Sequence, residues 1–90
     1  MKKEIIKFSA PWCGPCRVLG PIVETLKPEY SDKIKFTEYN VDEESVETVK
    51  YGVTSIPTMI FLSDGEIVET VKGAVTKSAL KAKLETFISN

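Results

Sequence analysis

No histidine occurs in the 90 residues. Cys–His hydrolase chemistry and the usual imidazole acid–base catalysis are therefore excluded within this chain. Cysteine is scarce, with only Cys13 and Cys16. A structural zinc site takes four Cys or His ligands, so the chain supplies half of one and no metal is expected. Charge of one sign is also lacking. Twelve Lys and Arg face thirteen Asp and Glu, a net charge of −1, which gives no electrostatic reason to bind nucleic acid or an anionic membrane. No stretch is long and apolar enough to span a bilayer. The opening MKKEIIKFSA has basic residues, but Glu4 and Lys7 break the apolar core a signal peptide needs. A cytoplasmic protein is expected, and there a purely structural disulfide is not.

What remains is an ordinary globular composition arranged in short, alternating elements. Ninety residues suggest one domain over 1–90. EIIKFSA, ending at Pro11, reads as a strand. Val18, Leu19, Ile22, Val23, Leu26 and Tyr30 then recur at helical steps. Pro21 is expected to kink that helix, and Pro28 to end it or bend it again. Residues 33–41 read as a second strand, and DEESVETVKYG as a short helix with acidic residues at its start and Gly52 at its end. TMIFL at 58–62 and EIVETV at 66–71 are strands joined by Ser63-Asp64-Gly65, a hairpin signal. Leu80, Leu84, Phe87 and Ile88 form the apolar stripe of a last helix, with Thr76 or Ser78 as its cap. The order β-α-β-α-β-β-α predicts an α/β fold: a four-stranded mixed sheet with three helices. Its first two strands are parallel and its last two form an antiparallel hairpin.

Both cysteines lie in APWCGPC, residues 10–16, at the junction of the first strand and first helix. Pro15 suits a first helical turn, where its missing N–H is not needed. The free N–H groups and dipole of that turn stabilise a thiolate on Cys13, and Arg17 adds positive charge nearby. Cys16, one turn in, is expected to be less exposed. That asymmetry suits dithiol exchange, in which one sulfur attacks a substrate disulfide and the other resolves the mixed disulfide. A buried, inert dithiol is the bland alternative.

WCGPC at residues 12–16 resembles the thioredoxin active-site motif. The likeness continues through Pro21, NVD at 40–42, YGV at 51–53, IPT at 56–58, DGE at 64–66 and KGA at 72–74. It implies a compact thioredoxin-like fold and a protein-disulfide reductase re-reduced by a thioredoxin reductase. No bound cofactor is implied, since the cysteines carry the electrons. Disulfide-containing proteins are the implied targets and a monomer the implied state. Cys13 matches the attacking cysteine and Cys16 the resolving one, spaced by Gly14 and Pro15. Trp12 matches the aromatic beside the motif, serving as packing residue, target platform or both. Pro57 matches a cis-proline facing the disulfide. The backbone of Ile56 would then pair with an extended target peptide. Gly73 matches a glycine lining that groove, or is a simple strand-end turn.

The sequence departs from this family in two ways. It opens at the active-site strand, without the strand and helix that precede it in a full thioredoxin, so a strand order 2-1-3-4 is expected. That leaves strand 33–41 at an edge, where Lys33, Lys35 and Glu38 discourage edge-to-edge pairing. Along the first strand Ile5, Lys7 and Ser9 share one face and Ile6, Phe8 and Ala10 the other. The first set is more polar and is expected to be the thinly covered face. The second departure is a charge exchange. The family usually carries a buried Asp where this chain has Lys7, and a partner Lys where it has Glu38. A Lys7–Glu38 pair beneath the active site is expected to tune the thiols; the alternative is a Lys7 that snorkels to solvent. Two other functions fit the fold: a glutaredoxin-like reductase using glutathione, and a binding module with incidental thiols. Trp12 and the Gly-Pro spacer argue against the first, and Cys13, Cys16 and Pro57 together against the second.

Overall fold

The computed structural model describes residues 2–90. Seven elements follow in the expected order: β1 (Lys3–Ser9), α1 (Gly14–Tyr30), β2 (Lys35–Asn40), α2 (Ser45–Lys50), β3 (Thr58–Ser63), β4 (Glu66–Lys72) and α3 (Lys77–Ser89). They build one four-stranded sheet of order β2-β1-β3-β4. β1 runs parallel to β2 and antiparallel to β3, and β3 pairs antiparallel with β4. The sheet is therefore mixed, with β2 and β4 at its edges.

Local sequence explains the element ends. Cys13 caps α1, its sulfur accepting the Cys16 N–H, and Pro15 sits in the first turn. Thr76 caps α3 by accepting from the Ala79 N–H at 3.1 Å. Asp64 and Gly65 turn the β3–β4 hairpin with φ of 51° and 85°. Positive φ at both central positions matches the right-handed twist of the strands they join. Pro28 does not end α1, which continues through Glu29 to Tyr30. The chain then leaves through Lys33 and Ile34, whose N–H groups both donate to the Tyr30 carbonyl. Lys33 lies in this turn, so the edge charges within β2 itself are Lys35 and Glu38.

The sheet's two faces are covered unequally, in the opposite sense to that expected. Ile5 packs into the larger cluster, with Leu19, Val23 and Leu26 of α1 and Leu80, Leu84 and Phe87 of α3. Ile6 and Phe8 face the thinner side, against Ile60, Leu62, Tyr39 and Tyr51. α2 buries none of its own residues, and Val46 and Val49 stay exposed. Counting polar residues on β1 misleads because Lys7 buries its stem on the thick side. A lysine stem is apolar, so only its charged end needs a partner. Val18 also departs from its expected place: it is 60 % exposed, while Leu19 is fully buried.

Candidate active site

The site is assembled where β1 ends and α1 begins. The Cys13 N–H donates to the Ala10 carbonyl at 3.2 Å, closing the turn through Pro11 and Trp12. This turn delivers Cys13 to the N-cap of α1 and Cys16 to its first turn. The two are joined as a disulfide with Cα atoms 5.2 Å apart. The N–H of Cys16 donates to Cys13 Sγ at 3.2 Å. Charge left on Cys13 when the disulfide opens therefore meets a backbone donor and the positive end of a 17-residue helix.

The expected difference in exposure is not present in this disulfide form. Cys13 is 5 % and Cys16 7 % exposed, because both sulfurs pack with Ala10, Val41 and Ile56. The asymmetry lies in hydrogen bonding instead: among the described residues, the backbone donor to this sulfur pair reaches Cys13. Arg17 does not point at the sulfurs. Its guanidinium donates to the Pro11 carbonyl at 3.0 and 3.2 Å, bracing the loop from outside. Gly14 is exposed, and a Cβ there would meet nothing within 4 Å, so the surface above the motif is open.

The segment before β3 faces this turn. The Ile56–Pro57 peptide bond is cis. Pro57 is buried, and its carbonyl accepts the Gly73 N–H at 2.8 Å. Thr58 ties the same segment down by donating to the Ser55 carbonyl at 2.7 Å. Gly73 has φ of 86°, a left-handed conformation that side chains other than glycine adopt at a cost. Beside Ile56 a shallow depression of about 170 Å³ runs past Val53, Thr54 and Ser55 to Val41 and Trp12. Trp12 is 66 % exposed and forms one wall of it. Its indole Nε1 donates to Asp42 Oδ2 at 2.8 Å. Asp42 has no role in the reading of the sequence beyond the NVD triplet. A carboxylate thirty residues from its partner leaves no periodic signal.

Lys7 and Glu38 face each other in the β1–β2 register, and Lys7 Nζ lies 2.8 Å from Glu38 Oε2. The two ends differ in environment. The Lys7 side chain is 10 % exposed and that of Glu38 59 %. The Lys7 hydrogen bond holds the Glu38 carboxyl below the ordinary carboxylate range, against a smaller opposing effect of desolvation; Lys7's charge and the Ser9 hydroxyl add to the lowering. Both residues line an open groove of about 440 Å³ that also reaches Cys16, Arg17, Glu43 and Glu44. The candidate residues thus separate into three places: the motif itself (Trp12, Cys13, Gly14, Pro15, Cys16), the facing segment (Ile56, Pro57, Gly73), and the groove behind Cys16 (Lys7, Glu38).

A Cys-Gly-Pro-Cys disulfide at a strand–helix junction of a mixed sheet, packed against Ile56 of a cis Ile56–Pro57 peptide, defines a dithiol–disulfide redox protein. The sequence model of the thioredoxin family matches residues 1–86, and the chain belongs to that family. It is 46 % identical over 84 residues to the chloroplastic M-type thioredoxin of Pisum sativum, covering 93 % of this chain and 49 % of the pea protein. It thus spans about half the length of that relative. It is 44 % identical over 85 residues to thioredoxin of Porphyra purpurea, covering 94 % of this chain and 79 % of that one. With thioredoxin of Bacillus subtilis the identity is 50 % over 74 residues, 82 % of this chain and 71 % of the other. The crystal structure of Malassezia sympodialis thioredoxin superposes with a TM-score of 0.88 at 35 % identity, over 97 % of this chain and 76 % of that chain. The protein is a thiol–disulfide oxidoreductase that acts as a protein-disulfide reductase. Among the described residues no helix is long and apolar enough to cross a membrane.

Proposed function

We propose that Cys13 is the attacking thiolate and Cys16 the resolving one. The observation that carries this assignment is the Cys16 N–H on Cys13 Sγ at the helix start. A thiolate so placed has a depressed pKa, and a larger reactive fraction at neutral pH than a free cysteine. Cys13 attacks a target disulfide and displaces one target thiolate. Cys16 then attacks Cys13 Sγ, forming the intramolecular disulfide and releasing the second target thiolate. The target peptide lies extended between Trp12 and Ile56, bonding the backbone of Ile56, with Pro57 and Gly73 shaping the groove.

A thioredoxin reductase returns two electrons to the Cys13–Cys16 disulfide, so the chain works as a monomeric electron carrier toward disulfide-containing proteins. A cytoplasmic setting fits a reactive dithiol, which needs a reducing compartment; the name of the pea relative points to the chloroplast as the competing one. The test is a trapping experiment. Cys16→Ser should accumulate a mixed disulfide with a protein target through Cys13, while Cys13→Ser should accumulate none. Trapping through Cys16 instead would reverse the assignment.

A further inference from the structure

Lys7 occupies an unusual place for a cation. It is nine-tenths buried, on the face of β1 that packs against α1, and it lines the same groove as Cys16. A Cβ built on Gly20 would lie 3.7 Å from Lys7 Nζ. Gly20 and Cys16 are four residues apart on α1, so they stand on one face of the helix, about 5–6 Å apart. The ammonium therefore rests against the helix about one turn below the second sulfur. A Cβ at position 20 would make ordinary van der Waals contact with it, so the two are close neighbours.

The neighbouring charges decide the sign of the field there. Glu38 of β2 meets Lys7 directly. Glu43 and Glu44 line the groove from the loop after β2, and Arg17 lines it from α1. Glu24 and Lys27 of α1 lie on the far side of Lys7, along an adjoining crevice. On β3 the register partner is Met59, which carries no charge. Water screens the exposed Glu38 carboxylate and the loop carboxylates more than it screens the buried ammonium. Arg17 is held outward by the Pro11 carbonyl. The Lys7 ammonium is thus the least screened charge on this side of Cys16.

We propose that Lys7 is a positioning residue for the resolving step: its ammonium, oriented by Glu38, stabilises the Cys16 thiolate. This rests on the Cys13–Cys16 exchange described above. Glu38 is not the proton acceptor, because its ion pair with Lys7 makes the carboxylate a weaker base. The proton of Cys16 passes to water in the open groove. The thiolate then bonds to Cys13 Sγ, and the Cys13–target bond breaks. The target sulfur leaves as a thiolate and takes a proton from water. Two electrons pass from the cysteine pair to the target disulfide.

The test uses the full chain carrying Cys13→Ser, which leaves Cys16 as its single thiol. Alkylation by iodoacetamide across pH gives two separate readouts. The midpoint reports charge near the sulfur, and the high-pH plateau reports access to it. Adding Lys7→Met should move the midpoint upward, with about tenfold less thiolate at neutral pH and an unchanged plateau. Lys7→Arg should restore the midpoint. Glu38→Gln, which leaves the ammonium unopposed, should move it the other way. Midpoints that stay put, or that move in the same direction in Lys7→Met and Glu38→Gln, overturn the proposal. Should Lys7→Met not fold, the Glu38→Gln arm decides alone: a downward shift supports the proposal, and an upward shift or none overturns it. Failure of the unmodified protein to reduce a protein disulfide would instead strike the functional reading itself.

Discussion

The Trp12 indole and the Asp42 carboxylate are hydrogen-bonded at 2.8 Å, linking the active-site turn to the segment after β2. Asp42 is itself held, its N–H donating to Asn40 Oδ1 at 2.9 Å. An indole that is 66 % exposed is thus oriented by a bond rather than by burial. Trp12 is the single tryptophan, so the protein's indole emission reports the surroundings of this residue. Asp42→Ala should shift that emission to the red as water replaces the carboxylate. The stability cost should be about 0.5–1.5 kcal/mol in urea denaturation. An unmoved spectrum would mean that packing on the depression holds the ring.

Gly73 offers a test of the facing segment. Its φ of 86° suits glycine, and a Cβ there meets nothing within 4 Å. The cost of Gly73→Ala is therefore conformational and should be about 1–2 kcal/mol. The same substitution disturbs the N–H that holds the Pro57 carbonyl. Reduction of a protein target should slow, while reduction of a small disulfide should not. Equal slowing of both would place the defect at the cysteines and not in the target groove.

The alkaline limb of stability should belong to two phenols, buried Tyr30 and half-buried Tyr39. Tyr30 is 2 % exposed and donates its hydroxyl to Glu85, which with burial raises its pKa above the usual 10.0. Tyr39 is raised chiefly by burial, then by Glu47 and Glu44. A phenol whose folded pKa is raised contributes stability fully present below the unfolded value near 10, and lost as pH climbs through the folded one. Denaturation midpoints should therefore fall above pH 10, and Tyr30→Phe should flatten that fall. An equally steep limb in Tyr30→Phe would assign it to other groups.

The acid limb has the opposite sign. Glu38 is held below its ordinary 4.5 by Lys7, and Glu29 by Lys81 on a separate surface. Each contributes stability present above the unfolded value and lost as pH falls through the folded one. Both carboxylates are more than half exposed, so water screens much of the effect. Lys7→Met should shallow the loss of stability below about pH 4.5, leaving the Glu29 contribution in place. Denaturation midpoints measured across that window check it; an acid limb as steep as that of the unmodified protein would show that Lys7 does not lower Glu38.

Much of this protein was legible along the chain, because it depends on neighbours in sequence. The Asp64-Gly65 turn, the Thr76 cap and Cys13 at the start of α1 each rest on the φ preference or side-chain acceptor of one residue and those within four of it. Strand and helix order followed from hydrophobic periods, whereas the Lys7–Glu38 pair was expected from the charges exchanged relative to the family's pattern. The tertiary structure alone decided which face of β1 is thick. Ile5 is covered by Leu80 and Leu84 from the far end of the chain, and no local pattern records which helix arrives there. It decided that Val18 turns outward and Leu19 inward. It also made the two cysteines equally buried, since Val41 and Ile56 close over both. Lys7 shows both sides at once. Its partner was readable, but its burial against Gly20 is set by how α1 lies on the sheet, and that depth separates a surface charge from one that acts on a sulfur.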